Sequence, residues 1–169
     1  KAPFDDARVR RALTLGIDRW GGSKYLSRIA IVKTVGGVVF PNHPLAATKE
    51  ELVKLAGYGE DIAANRAEAK KLLKEAGASN LTIDYNNRGV DQPYKVVGVW
   101  LIDQWRQIGL KFEQKVQPTG PFYATLRESG DFDVSIDFNC QSIVNPPIDT
   151  SKYLSSDVNP ANYSRVVDR

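Results

Sequence analysis

Residues 81–138, LTIDYNNRGVDQPYKVVGVWLIDQWRQIGLKFEQKVQPTGPFYATLRESGDFDVSIDF, decide the fold. Leu81, Ile83 and Tyr85 alternate with Thr82 and Asp84, the period-two pattern of a strand. Over 91–108, Tyr94, Val97, Leu101, Trp105 and Ile108 recur at helical spacing, and Gly109 closes the run. Alternation returns where Leu110, Phe112 and Val116 interleave with Lys111, Glu113 and Lys115. Thr119 and Pro121 open another helix, which Gly130 stops. Phe132, Val134, Ile136 and Phe138 then alternate with Asp133, Ser135 and Asp137. The order is β-α-β-α-β, with connections too long for hairpins. Parallel neighbours joined by right-handed crossovers are expected. Strict alternation also predicts a mixed sheet or one with a partly open face, because a parallel sheet covered on both sides reads more uniformly apolar.

The upstream chain reads as helical. Asp5 is placed as an N-cap, with Asp6 in the first turn, where negative charge suits the helix dipole. Val9, Ala12, Leu13, Gly16 and Ile17 make one apolar face of a helix over about residues 6–18. Gly21-Gly22 interrupts it, and Ser23 caps a second short helix through Ile29. Residues 34–48, TVGGVVFPNHPLAAT, form an irregular loop around Gly36, Gly37, Pro41 and Pro44. Helix resumes from Thr48 to Ala56, and again from Ile62 to Ala76, with Ala69, Leu72, Leu73 and Ala76 on one face and Gly77 as the stop. Lys70, Lys71 and Lys74 fall opposite that face and read as a solvated side. Downstream, residues 139–169 are rich in Asn, Ser, Pro and Asp without periodicity. They read as a connection whose packing partners lie elsewhere, so residues 1–138 form the α/β unit and 139–169 a hinge or return segment.

Composition excludes several classes. A length of 169 residues suits one domain or one lobe of a larger protein. The net charge of +3 is mixed among acidic residues, so no nucleic-acid partner is expected. The one cysteine, Cys140, rules out an intrachain disulfide, and no apolar run approaches the ~20 residues that span a bilayer. The chain starts at Lys1, against a helix start, and lacks methionine throughout; it reads as a segment of a longer chain. The single histidine, His43, has no motif joining it to a serine, Cys140 or a carboxylate. One His and one Cys in no ligand spacing do not make a zinc site. Gly21-Gly22 and Gly36-Gly37 match neither phosphate-loop nor dinucleotide patterns. No enzyme activity, metal or cofactor is expected.

Three stretches together resemble extracellular solute-binding protein family 5, the group that includes oligopeptide-, dipeptide- and nickel-binding proteins. PFDDARVRRAL at 3–13, continuing to GIDR at 16–19, is similar to the family's opening signature. NRAEAKKLLKEAG at 65–77 resembles its A-K-x-L-L-x-E-A-G helix. LIDQWRQIGL at 101–110 resembles its helix-to-strand turn, with Phe122, Leu126, Gly130, Phe132 and Asp133 following in the family's order. Residues 20–35 depart from the pattern. Where the family often has W-x-x-D-x-x-D-P, Asn139 to Pro146 reads NCQSIVNP, which lacks the tryptophan and the acids. The resemblance implies an α/β, periplasmic-binding-protein-like lobe, with a β-α-β-α-β sheet flanked by helices. It implies solute capture for an ABC importer, the solute being a peptide or another small polar molecule. The implied partners are the N-terminal lobe of the same protein and a membrane permease. The implied location is periplasmic, or lipid-anchored and extracellular. The alternative is a solute-sensing or accessory domain of a regulator or an enzyme.

Ligands of open α/β sheets bind beyond the carboxyl ends of the strands. That rule selects Asn86, Asn87 and Arg88 after the first strand, and Asn139, Gln141, Ser142 and Asn145 after the last. The 36–43 loop, Phe40 above all, is a further candidate wall. Amide side chains donate and accept hydrogen bonds, which suits peptide bonds or sugar hydroxyls. Each Asn and Ser has a second reading as a turn former. Arg88 is either a partner for a ligand carboxylate or a surface charge.

Overall fold

The computed structural model describes residues 1–30, 33–138 and 145–165. Strand β1 (Thr82–Arg88) is the middle of a three-stranded sheet of order β2-β1-β3, with β2 at Lys111–Gln117 and β3 at Val134–Ser135. Both pairings are parallel, as the length of the crossovers requires. β2 runs in register with β1 from Thr82 opposite Lys111 to Arg88 opposite Gln117. β3 touches β1 only at Tyr85–Val134 and Asn86–Ser135.

Two strand boundaries differ from the sequence expectation. β1 continues through Asn86, Asn87 and Arg88, so these residues end the strand rather than follow it. Their main chain is held by β2 along its whole length, a non-local cause that alternation cannot reveal. β3 is 2 residues long, not the run from Phe132 to Phe138. Before it, Asp133 exchanges bonds with Asp84: its backbone N–H donates to the Asp84 carbonyl, and its carboxylate accepts from the Asp84 N–H at 3.0 Å. After it, Phe138 packs on Tyr94, with ring centroids 5.0 Å apart, away from the β1 ladder.

The helices are α1 (Ala7–Leu15), α2 (Arg19–Ile29), α3 (Lys49–Leu52), α4 (Ile62–Glu75), α5 (Val96–Arg106), α6 (Thr119–Ala124) and α7 (Pro146–Ser151). A wide turn at Asp91–Lys95 leads into α5, and another at Thr125–Ser129 extends α6 to Gly130. Asp6, not Asp5, caps α1: its carboxylate accepts from the Arg8 N–H at 2.8 Å. Asp18 caps α2 by accepting from the Gly21 N–H at 2.8 Å. Gly21-Gly22 therefore lies inside a helix instead of breaking one. The reason is packing, since a Cβ at Gly22 would run into the Trp100 ring. Thr48 and Glu51 form a reciprocal capping box, but α3 closes after a single turn. The expected stretch to Ala56 is not helical.

α1, α4 and α5 pack on one face of the sheet around Val9, Ala12, Leu73, Ile83, Trp105 and Ile108. Trp105 stacks on Phe112 at 5.1 Å, and its Nε1 donates to the Leu13 carbonyl at 2.9 Å, satisfying the one polar group of a buried indole. Lys70, Lys71 and Lys74 are exposed. Trp100 is half-buried between α2 and α5, where it lines an apolar groove of about 720 Å³ with Tyr25, Ile29 and Val99. The opposite sheet face is open over Asp84, as the alternation suggested. The described part of the tail, residues 145–165, is more ordered than its composition suggests. It carries α7, and Tyr163 packs against the Tyr94, Phe122 and Leu126 cluster. Cys140 lies outside the described residues. No helix among the described residues is long and apolar enough to cross a membrane.

Candidate functional site

The carboxyl ends of β1 and β2 meet the chain leaving β3 in one polar and aromatic group. Asn86 is 2% exposed. Its Oδ1 accepts from Gln117 Nε2 at 2.7 Å, and the same Gln117 nitrogen donates to Thr125 Oγ1 at 3.0 Å. Ser135 Oγ donates to the Asn86 carbonyl at 3.1 Å. Asn86 Nδ2 is buried without a hydrogen-bond partner among the described residues, as is the Tyr85 hydroxyl. Such orphans are uncommon in folded proteins. Asn86 lines a cavity of about 330 Å³ on the open sheet face, with Asp84, Glu113, Lys115 and Asp131 around it.

Asn87 points to the other face and is fully buried. Its Nδ2 donates to the Tyr94 carbonyl at 3.1 Å, and its Oδ1 accepts from the Arg88 N–H at 2.8 Å. That amide fastens the turn before α5 to the strand.

Arg88 is half-buried at the strand end. Its Nε donates to Thr119 Oγ1 at 3.0 Å. Its guanidinium lies 5.1 Å from the Tyr94 ring and 5.4 Å from the Tyr123 ring, within cation–π range. Arg127 lies 5.1 Å from the Tyr123 ring as well. The Tyr94 hydroxyl donates to Asp137 Oδ1 at 3.4 Å, and Lys152 Nζ reaches Asp137 Oδ2 at 3.4 Å. Hydrogen bonding to Tyr94 holds the Arg88 guanidinium above its ordinary range, and Tyr163 does the same for Arg127. The Tyr123 phenol is pushed up, first by its hydrogen bond with Tyr94, then by burial and by the nearby Asp137 charge. Burial alone pushes up Tyr85.

The other candidates stand apart from this group. Phe40 is 63% exposed in a loop that Tyr58 holds through its hydroxyl on the Gly36 carbonyl at 3.0 Å. It makes no ring contact with Tyr94 or Tyr123 among the described residues. Asn145 is half-buried just before α7 and makes no side-chain capping bond. Asn139, Gln141 and Ser142 lie outside the described residues. Sequence reasoning did not select Tyr94, Thr119, Tyr123, Arg127, Asp137 and Lys152. A usable signal was present for Thr119, which lies two residues past the end of β2 and so at the same sheet edge.

A parallel sheet backed by helices, with polar and aromatic side chains gathered at its carboxyl edge, defines the class: an α/β lobe of the periplasmic binding-protein type. The chain belongs to the bacterial extracellular solute-binding proteins, family 5, whose middle-region model matches residues 1–163. It is 30% identical to the periplasmic oligopeptide-binding protein OppA of Haemophilus influenzae, over 80% of this chain and 25% of that protein. The fold is that of Haemophilus influenzae OppA in its crystal structure with the peptide RPPGFSPFR, at a TM-score of 0.74 and 22% identity, covering 99% of this chain and 32% of that one. Burkholderia pseudomallei OppA matches at a TM-score of 0.75 and 18% identity, covering 99% and 33%. Helicobacter pylori DppA, solved with the peptide STSA, matches at 0.69 and 17%, covering 99% and 31%. The chain therefore spans about a third or less of the length of these relatives.

Proposed function

We propose that this chain supplies one lobe of a two-lobed protein that captures a peptide or another small polar solute for an ABC importer, in the periplasm or anchored outside the cell. The observation that carries the reading is the polar and aromatic group at the sheet's carboxyl edge, on a fold shared with binding proteins whose structures contain peptides. Binding rather than catalysis is the role of the family and its solved neighbours. Residues 1–138 form the lobe body in this reading, and 139–169 the return segment. Arg88 lies on the cleft wall, with Asn145, the Asn139–Ser142 stretch and Phe40 as further contacts. Asn86 and Asn87 contribute mainly by fixing the wall, because their oxygens are taken up by Gln117 and the Arg88 N–H.

The test is to purify the full-length protein without refolding and identify retained solute by mass spectrometry. Calorimetry against peptides and sugars would follow. A retained peptide or other polar solute supports the reading. An upstream or downstream catalytic or DNA-binding domain in the same protein, with no solute retained, would sink it.

A further inference from the structure

We propose that the outer edge of β2 is a self-complementary interface, on which a second copy of this protein pairs antiparallel about Gln114 and joins the two sheets into one. The inference goes beyond solute capture and does not rest on it.

β2 is an edge strand: β1 lies on one side of it, and no strand pairs with the other side among the described residues. At its start the Lys111 N–H donates to the Leu81 carbonyl at 3.0 Å. At its end the Gln117 carbonyl accepts from the Gly89 N–H at 2.7 Å. Alternate residues of a parallel strand bond to the same neighbour, so the main chain of Lys111, Glu113, Lys115 and Gln117 faces β1. The N–H and C=O groups of Phe112, Gln114 and Val116 therefore point outward. Gln114 is exposed, and so is Val116, at 47%.

The strand reads KFEQKVQ. Turned end for end about Gln114, it lays Phe112 against Val116 of the second copy, Glu113 against Lys115, and Gln114 against itself. The other matches each occur twice, as a two-fold axis requires. Antiparallel strands alternate hydrogen-bonded and non-hydrogen-bonded pairs. Phe112, Gln114 and Val116 fall on the hydrogen-bonded pairs, so the free groups of one edge meet those of the other. Glu113 and Lys115 fall on the non-hydrogen-bonded pairs, where facing side chains come closest. Both are exposed, and neither is in an ion pair among the described residues. Main-chain parity and charge order are independent features, and both select the same axis. Bare edges are commonly blunted by charge. A row of lysines would repel a second copy, whereas Glu113 beside Lys115 attracts one in this register. The contact is small, so the dimer is a weak one.

The test uses the full-length protein. Sedimentation velocity from about 1 µM to about 300 µM is expected to show a monomer–dimer equilibrium that weakens with added salt. E113K sets lysine against Lys115, and K115E sets glutamate against Glu113. Each should lower the association constant about tenfold, and E113K/K115E, which restores opposite pairs, should recover it. Unchanged melting temperatures separate a lost contact from a lost fold. With native cysteines replaced by serine, Q114C should form a disulfide-linked dimer on mild oxidation, because the residue lies on the axis. K111C, far from its own copy in this register, should not. A monomer at every concentration would overturn the interface. So would a dimer in which the double variant fails to recover, or in which K111C cross-links as fast as Q114C.

Discussion

At Gly98 the backbone of α5 lies so close to β1 that a Cβ would collide with Asn87 Nδ2 and reach the Tyr85 hydroxyl at 3.1 Å. Gly98→Ala therefore overpacks a buried site and is expected to cost about 1–3 kcal/mol, seen as a lower urea midpoint at unchanged m. Asp6 gives a pH-dependent counterpart. Its hydrogen bond with Arg8 holds its carboxyl below the ordinary carboxylate range. A depressed folded value means the contribution is fully present above the ordinary range and is lost as pH falls through the lowered one. Wild type should thus unfold at a higher temperature than D6N near neutrality, and the two melting curves should converge on acidification. The same scale shows where sequence reading stops. Trp105 and Ile108 were legible as core from their spacing alone. Asn86 and Asn87 were legible as polar residues near a strand end, but not as buried fasteners. Their partners Gln117 and Tyr94 are brought to them by the sheet and the turn before α5, not by adjacency.

Among the elements, α4 was the most legible, because apolar spacing, the Asp61 cap and Gly77 all agree. Gly77 sits at φ +68°, with nothing within 4 Å of the place a Cβ would take. Substitution there meets backbone strain but no clash. Gly77→Ala should lower stability by about 1–2 kcal/mol, and Gly77→Asn by less, in denaturant unfolding. α2 was misread at Gly21-Gly22 because glycine in a helix signals a break only when no distant side chain requires it. Trp100, far along the chain, requires it here. β3 was overestimated for a related reason. Alternation from Phe132 to Phe138 is real, but Tyr94 draws Phe138 into an aromatic cluster and ends the pairing early.

For the whole molecule, the parallel sheet followed from the order of elements and the lobe architecture from the family resemblance, while the cation–aromatic edge followed from neither. Arg88 ends β1 while Tyr123 and Arg127 lie one turn apart in the α6 region, and only the closed sheet brings these two stretches together. Small-molecule sites bury most of their ligand's surface, and a single lobe offers one wall. This chain alone is therefore expected to bind solute about a hundredfold or more weaker than the full-length protein, measured by calorimetry with the same ligand. Comparable affinity would mean the site is complete within one lobe.

The central position of β1 also sets an order in time. It is the first strand of the three to be synthesised, and neither neighbour exists until a whole crossover has followed. Each pairing closes a long loop, which makes such sheets slow to form. The α1 and α4 surfaces, by contrast, need only the chain up to Glu75 to meet. The α1–α4 pair is thus expected to dock before the sheet closes, with the edge that holds Arg88 taking shape later.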